Sequence, residues 1–81
     1  MDAREYNERD HWLSHAVYLQ EQAAMLSTSA RQLRDMADRW EADGEPAEQL
    51  AVWRAWAVVD AERSARYYAL ALSSANHADM L

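Results

Sequence analysis

Metal chemistry is the first possibility raised by the residue types and spacings in this sequence. Glu8, His11 and His15 stand at i, i+3 and i, i+4 intervals, so on a helix they share one face. Glu8-x-x-His11 also has the form of the Glu-x-x-His element found in di-iron carboxylate bundles. If the chain folds back about Gly44, position 77 comes level with position 11, and His77 joins His11 and His15 at one end. Zinc accepts such nitrogen ligands. A di-iron site needs further glutamates from the facing helix, yet the residues level with His11 are Asn76 and Asp79. Matches this short recur by chance. The expectation is no metal and no cofactor, with Glu8, His11, His15 and His77 as the ligands a metal-binding bundle would use.

Nucleophilic chemistry has less to build on. The chain has no cysteine and one glycine, so thiol catalysis and a glycine-rich phosphate loop are both excluded. Ser14 and His15 are sequence neighbours, and a helix points neighbours apart. The reading is a protein that is not an enzyme. Contact chemistry is better supplied. Trp53, Trp56 and Arg54 crowd one short stretch of the second half, and tryptophan and arginine are the usual anchors of protein interfaces. Arg54 also admits a plainer role, its stem over apolar surface and its charge on Asp38 or Glu41.

Two elements must position these residues. Strong breaker chemistry falls at Asp43-Gly44-Glu45-Pro46, where Gly44 suits the left-handed position after a helix and Pro46 the first turn of the next. The sequence predicts helices over about residues 3–42 and 46–78. A short loop makes them antiparallel. Seventeen of the 81 residues are alanine, a composition of long helices rather than strands. Trp12, Leu19, Leu26, Leu33 and Trp40 recur every seven residues, and Ala16, Ala23, Ala30 and Ala37 recur with them. That phase runs unshifted through Ser27-Thr28-Ser29, so the first helix is expected to be continuous. An alternating small and large seam of this coiled-coil type suits close antiparallel packing.

The second helix is apolar nearly all round. At about 100° per residue, Ala47, Ala51, Val58, Ala61, Ala65, Tyr68, Leu72 and Ala75 form an arc that is expected to face the first helix. Val52, Trp53, Trp56, Val59, Tyr67 and Leu70 lie on other sides and are the expected protein interface. Glu48, Glu62, Arg66, Ser73 and Asn76 leave only a narrow polar sector. One antiparallel neighbour cannot cover such a helix, and a chain this short buries only about 60% of its unfolded surface. The fold class is therefore all-α: a single-domain helical hairpin, residues 1–81, that self-associates into a four-helix bundle or a larger helical oligomer, with a homodimer as first choice. The layout resembles the Rop (repressor of primer) type of bundle, on the pairs Ala16/Leu19, Ala23/Leu26 and Ala30/Leu33. The likeness is architectural and carries no functional residue across. The turn, Trp40-Glu41-Ala42-Asp43-Gly44, sets its glycine two residues beyond that of the Trp-x-Gly family of secreted hairpins.

Charge narrows the partners. Fourteen acids oppose eight bases, all arginine, for a net charge of -6. Such a chain lacks the basic footprint of a nucleic-acid binder and is repelled by anionic membranes. Arg31, Arg34 and Arg39 cluster near the turn, as a Rop-like nucleic-acid contact would require, but Asp35 and Asp38 are interleaved with them. Local i, i+4 pairs are expected at Glu5/Arg9, Arg31/Asp35, Arg34/Asp38, Asp35/Arg39 and Glu62/Arg66. With no signal-like N-terminus and no span of about 20 apolar residues, the expected setting is cytoplasmic. Arginine-only, alanine-rich usage is that of a high-GC bacterial or phage genome. The function so read is a helical interaction module acting as adaptor, inhibitor or structural component.

Overall fold

The computed structural model describes residues 7–81. They form two helices, α1 (Glu8–Ala42) and α2 (Ala47–Met80), folded into one antiparallel hairpin of 62 × 22 × 13 Å. The first helix was expected from about residue 3. Residues 3–6 lie outside the described region, and Asn7 is extended and caps the helix, its Oδ1 accepting from the Arg9 N–H at 2.9 Å. Glu8 and Asp10 occupy the first turn, where the helix dipole favours acids. The helix runs unbroken through Ser27–Ser29.

The turn closes by local chemistry. Glu45 donates its N–H to the Trp40 carbonyl at 3.0 Å, and Gly44 donates to Glu41 at 3.1 Å. These two bonds form a Schellman motif, which needs a left-handed residue after the helix. Gly44 supplies it with φ 85°. Pro46 stands one place earlier than expected, as the extended N-cap of α2 rather than its first helical residue.

The seam between the helices is built mostly of alanine. Ala16, Ala23, Ala30 and Ala37 of α1 are buried with Leu19. Opposite them lie Leu50, Ala57, Ala71, Ser74 and Ala78 of α2. Among the described residues, seven of the nine buried apolar residues are alanine, and no large side chain is completely enclosed. Trp12, Leu26, Leu33 and Trp40 flank the alanines half-buried. Side chains this small let the two backbones approach closely, and the larger residues close over the edges.

This seam corrects the expected facing arc of α2. Ala47, Ala51, Val58, Ala61, Ala65, Tyr68 and Leu72 are exposed, and Ala75 is half-buried. The residues that meet α1 follow two seven-residue rows instead: Leu50, Ala57, Ser64, Ala71 and Ala78, and Trp53, Asp60, Tyr67 and Ser74. Apolarity could not choose between the faces, because both are alanine-rich. The face that does meet α1 carries polar side chains that are satisfied across the seam. Ser64 donates to the Ala23 carbonyl at 2.7 Å, and Ser29 donates to the Asp60 carboxylate at 2.7 Å. These polar side chains take up seam positions because each finds a partner there.

Candidate interaction surface

The six residues expected at an interface divide into two sets. Val52, Trp56, Val59 and Leu70 are exposed on α2, Trp56 by 62%. Trp53 and Tyr67 are half-buried in the seam, which corrects their assignment to the outer surface. Trp53 meets Trp40 across the hairpin at 4.6 Å between centroids and 88° between planes. This edge-to-face contact is the favourable arrangement of two indoles. Trp53 Nε1 is buried without an acceptor. A groove of about 260 Å³ opens beside it, lined by Leu33, Gln49, Val52, Trp53 and Trp56.

The opposite flank of α2 is equally apolar. Val58 is exposed by 56%, Tyr68 by 54% and Leu72 by 53%, with Ala51, Ala61 and Ala65 exposed between them. The pairs Trp12–His77 and Ser29–Asp60 fix the register of the helices, and that register sets exposed Val17 of α1 level with Leu72. A second groove, about 300 Å³, is lined by Arg34, Ala57, Val58, Ala61, Glu62 and Ala65. The chain as a whole exposes 6275 Å², against about 5,000 Å² for a compact monomer of 9.3 kDa. Its radius of gyration is 18.5 Å, against about 12 Å for a compact domain of this length.

At the open end the histidines gather round an indole. His77 meets Trp12 edge to face at 4.5 Å, and His11 and His15 also lie against it at 5.8 and 6.1 Å. His15 stacks in turn on Tyr18 at 6.5 Å. His11, His15 and His77 thus each lie against Trp12. Among the described residues, no group of three or more histidine, aspartate or glutamate side chains is placed to hold a metal ion. Glu8 stands exposed in the first turn of α1.

Arg54 is tied down across the turn end. It donates to Asp38 at 3.2 Å and to Glu41. Its hydrogen bond to Glu41, followed by that to Asp38, holds its guanidinium above the usual arginine range. A raised value keeps the guanidinium charged throughout the range below the ordinary arginine value. Among the described residues the arginine ion pairs are those of Arg54. The local pairs expected at Arg31/Asp35, Arg34/Asp38, Asp35/Arg39 and Glu62/Arg66 are not closed, and Glu5 lies outside the described residues.

Compared with protein-family models, with curated proteins and with solved structures, the chain matches none. Among the described residues no helix is long and apolar enough to cross a membrane.

Proposed function

We propose that this chain is a non-enzymatic helical interaction module, acting as an oligomeric adaptor, inhibitor or structural component in a cytoplasmic setting. The observation that carries the reading is the mismatch between the two sides of α2. The buried positions of its inner seam are mostly alanine, with Leu50 and Ser74, while Val52, Trp56, Val58, Val59, Tyr68, Leu70 and Leu72 remain exposed. Exposed apolar surface on this scale marks an interaction site in a soluble protein. The Trp56 flank, with Val52, Val59 and Leu70, offers the aromatic anchor and adjoining groove typical of an interface centre. Further support comes from the surface area, which exceeds the compact value by more than the roughly 800 Å² per partner of a standard interface. A second copy is the first-choice partner, with a different protein as the alternative. Sedimentation equilibrium tests the reading. An assembly heavier than 9.3 kDa, or binding of an apolar dye by the lone hairpin, is expected. A monodisperse monomer that binds no such dye overturns it.

A further inference from the structure

Resting on that reading, we infer that the second copy docks on the Val58–Leu72 flank of α2, antiparallel, about a two-fold axis between Ala61 and Ala65. Ala61 and Ala65 are both exposed and are one helical turn apart, so they offer the same close-approach surface that alanines provide within the hairpin. Rotation about an axis between them sets Val58 opposite the second copy's Tyr68, and Tyr68 opposite its Val58. It sets Ala51 opposite Ala75 in the same way. Val58 and Tyr68 then meet each other across the axis rather than their own images, the reciprocal pairing of a two-fold contact.

The groove beside Val58 supplies the hole for this knob. It holds about 300 Å³ and is floored by Ala57, Ala61 and Ala65, with Arg34 and Glu62 on its walls. Tyr68 protrudes by 54% from its own helix. Its ring fills the alanine floor of the other copy, and the two charged walls meet the hydroxyl, which needs a polar partner once buried. The arrangement occurs twice across the axis.

Charge complementarity points to the same alignment. Glu62 and Arg66 do not close on each other within the chain, and both are exposed on the polar edge of this flank. The antiparallel register brings Glu62 to about 3 Å, along the axis, from the second copy's Arg66. The reciprocal pair forms with the same geometry. The Trp56 flank lies on the other side of α2 and takes no part in this contact.

Charge exchange between two chains tests this arrangement. Glu62→Arg alone and Arg66→Glu alone each place like charges across the axis. Each is expected to weaken the dimer by roughly tenfold in sedimentation equilibrium. An equimolar mixture of the two variants restores both pairs only in a mixed dimer, and is expected to recover the wild-type mass. A local helix effect cannot be mended by mixing, so failure to recover overturns the alignment. Ala65→Arg provides a second arm. Ala65 is exposed in the hairpin, so helicity by circular dichroism is retained while the dimer weakens on the order of 100-fold. A dimer that survives Ala65→Arg but is lost in Trp56→Arg overturns the inference and leaves the interaction-module reading standing. A wild-type monomer without dye binding overturns both.

Discussion

The Trp12 indole and the His77 imidazole meet edge to face at 4.5 Å, joining the first turns of α1 to the last turns of α2. Helix ends open first unless side chains tie them. This ring contact therefore governs how far the open end frays. Trp12→Ala is expected to speed amide exchange over the last two turns of α2 while the turn end stays protected. Hydrogen exchange read by residue checks this. Equal acceleration at both ends would contradict it. His77→Ala is expected to act in the same direction more weakly, at about 0.5–1.5 kcal/mol.

The Ser29–Asp60 hydrogen bond places a carboxylate at a seam position. Ser29→Ala removes the donor and leaves Asp60 part-buried without it, a loss of about 1–2 kcal/mol in urea unfolding. Replacing both, as Ser29→Ala with Asp60→Leu, is expected to regain most of that loss, because an apolar pair needs no donor. The comparison must be made at one protein concentration if the chain associates.

Seam and surface alanines should respond differently to the same enlargement. Ala30 is 1% exposed, so Ala30→Leu forces the helices apart and is expected to cost 1–3 kcal/mol or more. Ala69 is exposed on α2, and Ala69→Leu is expected to fall within about 0.5 kcal/mol of wild type. Thermal unfolding separates the two. Equal effects would show that the seam does not limit the helix spacing.

Arg54 bridges Asp38 and Glu41 from an exposed position. Arg54→Gln is expected to lower stability by less than about 1 kcal/mol. The difference from wild type shrinks as salt is raised from 0.05 to about 1 M, since screening acts on the pair and not on the stem. A difference independent of salt assigns the residue's role to packing.

Gly44 holds a left-handed φ of 85° with no atom near a would-be Cβ. Gly44→Ala is therefore expected to cost about 1 kcal/mol from backbone strain alone. Gly44→Asn is expected to cost less, because asparagine tolerates that conformation.

The hairpin was legible because each of its determinants is local or strictly periodic. Gly44 and Pro46 mark the turn, and the alternation of Ala16, Ala23, Ala30 and Ala37 with the large row marks the seam of α1. The facing side of α2 was not legible. Its alanines lie on every side, and the polar side chains satisfied across the seam, Ser64 at the Ala23 carbonyl and Asp60 at Ser29, have partners more than 30 residues away. Trp53 was misplaced for the same reason, since its partner Trp40 sits across the turn. The histidine spacing did reveal that His11, His15 and His77 come to one end. It could not reveal that Trp12 would stand between them.

The alanine seam has one more consequence. Alanine has no rotamers to lose, so ordering the seam costs almost no side-chain entropy. It also has no means of adjusting its reach. A leucine core can absorb a shifted neighbour by changing rotamer, whereas Ala23, Ala30, Ala37, Ala57 and Ala71 cannot. The seam behaves as a fixed gauge: it encodes the distance between two axes, and the residues outside it inherit their positions from that distance.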